Sequence, residues 1–76
     1  MTFNPSSFPK TLKAAEAKQA AEIELQSAFL RFEAAYIRRE PAQIRAASDE
    51  VLRAAQAQMD AIASLHAASR REAGLG

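Results

Sequence analysis

Apolar positions recur with a helical period between residues 41 and 66. When this segment is projected at about 100° per residue, most of its large apolar side chains fall within a sector of about 100°. The sector contains Ile44, Ser48, Val51, Leu52, Ala55, Met59, Ile62 and His66. Charged and amide side chains fall outside it. The pattern predicts an amphipathic helix that is apolar on one side.

The segment 11–39 has the same period but carries two apolar stripes on nearly opposite sides. An aromatic stripe contains Leu25, Phe29, Phe32 and Tyr36. An aliphatic stripe contains Leu12, Ile23, Leu30, Ala34 and Ile37. A helix that is apolar on two sides has to be covered on both, and one neighbouring helix can cover only one of them.

Most of the chain has a helical composition, rich in Ala, Glu, Gln, Arg and Leu, with one proline in its interior. That residue, Pro41, disfavours helical backbone at Glu40 and suits the first position of a new helix. The sequence therefore predicts one helix at 11–39, a turn at 40–41 and a second helix at 41–72.

The two predicted helices are nearly equal in length, about 45 Å each, which suits antiparallel pairing. We therefore predict an all-α fold in which residues 11–76 form one helical-hairpin domain with a short C-terminal tail. In this hairpin the aromatic stripe packs against the second helix, and Leu52 lies opposite Phe29. The predicted intra-hairpin core contains Leu25, Phe29, Phe32, Tyr36, Ile44, Val51, Leu52, Met59 and Ile62. A continuous helix kinked at Pro41 within a larger oligomer is the alternative.

The aliphatic stripe has no partner inside such a hairpin. A chain of 76 residues without cysteine also buries little apolar surface by itself, and association of subunits is the ordinary remedy. We therefore expect a homo-oligomer, most simply a dimer that forms a four-helix bundle, or a higher helical oligomer. The predicted oligomer or partner interface consists of Leu12, Ile23, Leu30, Ala34 and Ile37.

Residues 1–10 precede the predicted helices and carry Phe3 and Phe8 in the stretch FNPSSFPK. Because residues before proline favour extended backbone, we expect an extended N-terminal arm. The end of the hairpin away from the turn is lined by small residues such as Ala14 and Ala15, and Phe3 and Phe8 are the expected arm contacts there. A disordered terminus is the alternative.

The sequence contains no motif that carries catalytic or ligand-binding chemistry. There is no cysteine, His66 is the only histidine, and no serine lies in a nucleophile motif with a base beside it. A glycine-rich phosphate-binding loop is also absent. We therefore expect a protein that is not an enzyme, with no catalytic residue, no metal or other cofactor and no small-molecule substrate.

The charge balance is close to neutral, with ten Lys and Arg against nine Asp and Glu and a net charge of +1. Such a balance gives no strong attraction to nucleic acid or to an anionic membrane. Apolar runs are far shorter than the roughly 20 residues that span a bilayer, and the first ten residues have no apolar signal core. We expect a cytoplasmic protein with no membrane partner.

The expected function is that of a non-enzymatic protein-binding module, such as an adaptor, assembly factor, chaperone or inhibitor, that acts through apolar helix faces. The alternative is an RNA-binding four-helix-bundle dimer, because the predicted layout is similar in outline to the Rop type of bundle. Its nucleic-acid contacts would be the arginines near the turn, Arg31, Arg38, Arg39 and Arg45. Acidic residues lie among these arginines, so ion pairing on the surface is the favoured role. A structural subunit of a larger assembly is the third interpretation.

Overall fold

The computed structural model describes residues 8–74 and contains two α-helices that pack against each other. Helix α1 spans Pro9–Arg38 and helix α2 spans Pro41–Glu72. The prediction of an all-helical hairpin is confirmed. Helix α1 begins before the predicted start at Thr11, because Pro9 has the fixed φ and the missing N–H that suit the first helical turn. The rest of the predicted arm, residues 1–7, lies outside the described residues.

A tight turn at Arg39 and Glu40 reverses the chain, so Pro41 starts a new helix and does not kink a continuous one. Arg39 adopts left-handed backbone with φ 55° and ψ 44°, and its N–H donates to the Tyr36 carbonyl at 3.1 Å. The Glu40 N–H donates to the Ala35 carbonyl at 3.5 Å, which completes the pattern of a Schellman motif. Glu40 itself is extended, as proline favours in the residue before it.

The contact between the helices is built from alanine. Among residues 8–74 the buried side chains are Ala28, Ala35, Ala47 and Ala54. They belong to two series, one in each helix, in which alanine recurs every seven residues and the other members are half-buried. A seven-residue repeat keeps one stripe of a helix against its partner, as in a coiled coil. We call this stripe the alanine seam, and its members are Ala14, Ala21, Ala28, Ala35, Ala47, Ala54, Ala61 and Ala68.

The alanine seam allows a close approach of the two helices, because the distance between packed helices is set by the side chains at their contact. We expect an axis separation near the lower end of the usual range of about 8–10 Å, which leaves no room for a large side chain between the helices. Large side chains are therefore displaced to the edges of the seam, and none is fully buried in the described part of the chain. Burial of an alanine methyl contributes about 0.8 kcal/mol, against about 1.5–3 kcal/mol for a leucine or phenylalanine side chain.

The predicted intra-hairpin core is wrong for Phe29, Tyr36, Leu52 and Met59. These four side chains are exposed, and 66% of the surface of Leu52 is accessible. The other five predicted core residues are half-buried at the edge of the alanine seam, and they are Leu25, Phe32, Ile44, Val51 and Ile62. The prediction assigned the contact to the largest apolar side chains, whereas the small side chain of alanine permits the closest packing of two helices.

A carboxylate clasp closes the end of the hairpin away from the turn. The Glu72 carboxylate accepts hydrogen bonds from the backbone N–H groups of Lys10 at 3.0 Å and Thr11 at 2.6 Å. Both N–H groups belong to the first turn of α1, which contains no acidic residue and receives no side-chain cap from Phe8. Glu72 therefore caps α1 from the last turn of α2, and it holds the two helices in register.

We predict that Ala28→Leu lowers the free energy of unfolding by about 1–3 kcal/mol. Ala28 is fully buried in the seam, so added methylene groups there would push the helices apart. The control is Ala63→Leu, because Ala63 is exposed on α2. Urea denaturation followed by circular dichroism compares the two variants at one protein concentration. Equal stability of the two variants would contradict a contact built from alanine.

The Glu72 clasp also predicts a pH dependence of stability. Burial raises the pKa of Glu72, but hydrogen bonds from Thr11 and Lys10 outweigh burial, so the pKa of this carboxyl lies below its ordinary value. A carboxylate with a lowered pKa stabilises the folded state above the pKa of the unfolded chain. That stabilisation is lost as the pH falls through the folded-state pKa.

We therefore predict that Glu72→Gln lowers Tm at neutral pH, and that the difference from the wild type shrinks as the pH falls below about 4. Thermal denaturation across the acidic and neutral range measures this difference. Glu16→Gln serves as the control, because it removes an exposed carboxylate of α1. A deficit in Tm that is the same at every pH would show that the charge of Glu72 does not matter.

Candidate protein-interaction surfaces

One broad side of the hairpin carries most of its large apolar side chains. Near the middle of this side, a groove of about 130 Å³ is lined by Phe29, Phe32, Ser48, Val51 and Leu52. Because these residues come from both helices, the surface is continuous across the hairpin. We call it the apolar face, and its large members are Leu25, Phe29, Phe32, Tyr36, Ile44, Val51, Leu52, Met59 and Ile62.

The apolar face extends along both helices. Toward the turn, Phe32 and Tyr36 stack with their ring centroids 6.3 Å apart and an interplanar angle of 25°. Ile44 lines one groove with Phe32 and another with Tyr36. In the other direction Met59 follows Leu52 by seven residues, so it lies on the same side of α2. Apolar side chains thus cover this side from the turn to beyond the middle of the hairpin.

The opposite broad side of the hairpin is polar. A groove of about 280 Å³ near the turn is lined by Arg31, Ala34, Ala35, Arg38, Glu40, Gln43, Ala46, Ala47 and Glu50. Arg31 joins the two helices there, because its Nε donates to Glu50 Oε2 at 2.8 Å and its Nη2 donates to Glu24 Oε1 at 3.0 Å. The hydrogen bonds to Glu50 and Glu24 raise the pKa of Arg31 above its ordinary value. All three side chains are well exposed to solvent, so these ion pairs add little stability and serve mainly to support the register.

The outer edge of α1 forms a third surface. Seven-residue spacing relates Ile23, Leu30 and Ile37 there, and all three are exposed, with Ile37 reaching 79%. We call these three residues the outer ridge. The predicted oligomer or partner interface had two further members, of which Leu12 is exposed nearer the start of α1 and Ala34 lines the polar groove. Three of the five predicted interface residues therefore lie in one line on α1.

The predicted arm contacts of Phe3 and Phe8 stay predictions. Phe3 lies outside the described residues. Phe8 directly precedes α1 and is half-buried, and its carbonyl accepts a hydrogen bond from the Leu12 N–H at 2.9 Å. Phe8 is thus fixed to the first turn of α1 through its backbone.

The four arginines predicted as nucleic-acid contacts do not share one surface. Arg31 and Arg38 line the polar groove, where Glu50 lies beside them. Arg39 and Arg45 instead border grooves at the turn end of the apolar face. Cationic charge is therefore divided between the two broad sides of the hairpin, and part of it is paired with carboxylates.

Among residues 8–74, no group of three His, Asp or Glu side chains is arranged as the ligands of a metal ion would be. Neither helix contains, over the same residues, a stretch that is both long and apolar enough to cross a bilayer. The apolar face and the outer ridge are the two surfaces of these residues that expose several large apolar side chains. Both are of the kind that contacts other helices.

The chain has no significant match among protein-family models, curated proteins or solved structures. The features relevant to function are the size of the apolar face, the spacing of the outer ridge and the charges beside each.

Proposed function

We propose that the chain is a non-enzymatic protein-binding module that works as a self-associated helical hairpin. Two chains pair through their apolar faces into a four-helix bundle, and the outer ridge of each α1 contacts a helix of a further polypeptide chain. Adaptors, assembly factors, chaperones and inhibitors act through contacts of this kind. One observation carries the proposal: residues 8–74 bury no side chain larger than alanine, while their large apolar side chains are half-buried or exposed.

The apolar face is large enough to hold a dimer together. The hairpin measures 54 × 21 × 14 Å. Its broad side therefore offers on the order of 1,000 Å², and a stable interface buries about 800 Å² on each partner. Pairing of two such faces would surround Phe29, Leu52 and Met59 with four helices. The bundle would then have the core of large side chains that one hairpin lacks.

The outer ridge suits a narrower contact with a single helix. Aliphatic side chains at seven-residue spacing are the anchors by which one helix receives another. On α1 the outer ridge is separated from the apolar face by the exposed polar side chains of Gln26 and Glu33. The two surfaces can therefore be occupied at the same time.

RNA binding has less support than protein binding. A phosphate backbone attracts proteins whose cationic side chains lie together on one surface. Here Arg31 is paired with Glu24 and Glu50, and Arg39 and Arg45 lie on the other broad side. RNA binding is therefore not the function that we propose.

The apolar face makes a prediction about mass in solution. Leu52→Lys and Met59→Lys should each weaken association by about 2 kcal/mol or more, because each places a charge where four helices would meet. Both residues are exposed in the single hairpin, so the substitutions remove no contact that the hairpin itself depends on. Sedimentation velocity should give a smaller mass for each variant than for the wild type, whose mass should be at least twice the 8.2 kDa of one chain.

The matched control for this experiment is Ala46→Lys, which adds the same charge at an exposed position of α2 that lines the polar groove. It should keep the mass of the wild type. The proposed function fails if the wild type sediments as a single chain, or if Leu52→Lys and Met59→Lys both keep the mass of the wild type.

A further inference from the structure

The outer ridge is one half of a second heptad seam on α1. Its three large residues, Ile23, Leu30 and Ile37, alternate with small residues on the same side of the helix. The small residues are Ala20, Ser27 and Ala34, and the spacing along the chain alternates between three and four residues. The seam that already holds α2 has the same alternation of large and small, through Leu25, Ala28, Phe32 and Ala35. Helix α1 can therefore accept a second helix on its outer side through a heptad repeat, with the large residues at the centre of that contact.

We infer that the helix on the outer ridge is α1 of a second copy of this chain, packed antiparallel about a two-fold axis that passes between the two Leu30 side chains. In this arrangement each Ile23 lies level with Ile37 of the other copy. A two-fold contact uses the same residues on both subunits, so each of the three ridge residues of one copy packs against a ridge residue of the other. The inference rests on the proposed function, because it names the protein that occupies the ridge.

The charges beside the ridge support this arrangement. The register of the contact between α1 and α2 is given by Arg31 opposite Glu50 and Thr11 opposite Glu72. If two antiparallel copies of α1 pair with the same offset between facing flanking residues, Glu24 of one copy lies opposite Arg38 of the other. Because of the two-fold axis, this pair occurs twice. On the other flank Gln26 lies opposite Glu33, which is not a like-charge pair.

One like-charge contact remains, between the two Arg31 side chains at the axis. Each Arg31 is already hydrogen-bonded to Glu50 and Glu24 of its own chain, so its charge is largely compensated. Glu24 then lies between Arg31 of its own chain and Arg38 of the second copy. The two Glu24–Arg38 pairs thus favour both the antiparallel direction and this register.

Helix α2 offers no equivalent surface. Its outer edge carries Asp49, Gln56, Ala63 and Arg70 at seven-residue spacing, and none of these is a large apolar residue. The contact on the outer ridge is therefore made between α1 and α1. A chain with two different two-fold contacts, one through the apolar face and one through the outer ridge, joins bundles into a tetramer or a longer assembly.

A charge-swap experiment tests the partner directly. Glu24→Arg places two cations opposite each other at the ridge contact, and Arg38→Glu places two anions there. Each variant alone should weaken the association of bundles at least about tenfold. An equimolar mixture of the two variants restores both opposite-charge pairs, and the double variant Glu24→Arg, Arg38→Glu restores them within one chain. Both should recover the mass of the wild type in sedimentation velocity.

Leu30→Asp is the second variant, with Ala46→Asp as its control at an exposed position of α2 in the polar groove. Leu30 is exposed in the single hairpin, so Leu30→Asp should keep its helical circular dichroism and sediment as the bundle formed by the apolar face alone. The inference is overturned if Leu30→Asp keeps the mass of the wild type, if the wild type is itself only a dimer, or if mixing the two charge variants restores nothing. A wild type that sediments as a single chain would instead overturn the proposed function.

Discussion

The seven-residue repeat of alanine is the constraint on which the rest of this structure depends. Because alanine occupies the contact in both helices, the axes can approach closely and the larger side chains cannot fit between them. Phe29, Leu52 and Met59 are consequently on the surface, although they are among the most apolar residues of the chain. A close contact between the helices and a shortage of buried apolar area thus have the same cause.

The local features of the hairpin hold this contact in register. The left-handed residue Arg39 and the extended Glu40 reverse the chain within two residues. The buried alanines nearest the turn are Ala35 and Ala47. At the other end Glu72 caps the start of α1, and in between Arg31 bridges to Glu50. Because a shift by one residue would break these three features together, the register is more firmly fixed than a row of identical alanines could make it.

The sequence is informative about the elements and less so about how they pair. Pro41 acts on its own backbone and on that of Glu40, so the turn and the start of α2 could be predicted without knowledge of any tertiary contact. Which stripe of each helix forms the seam depends on how the two helices fit together, so it cannot be read from one helix alone. A projection weighted by side-chain size favours Phe29 over Ala28. The signal that would have found the seam is the strict spacing of alanine in both helices. No local pattern indicates the Glu72 clasp, which joins residues 61 positions apart.

We propose that the hairpin gains much of its stability when its apolar face is covered by another chain. Unfolding at several protein concentrations distinguishes a hairpin that is stabilised by association from one that is stable alone, because association adds stability by mass action. The urea midpoint should rise with protein concentration, by an amount that corresponds to about 2.7 kcal/mol for a hundredfold increase in the concentration of a dimer. A midpoint that does not change with concentration, measured for a species with the mass of one chain, would contradict it.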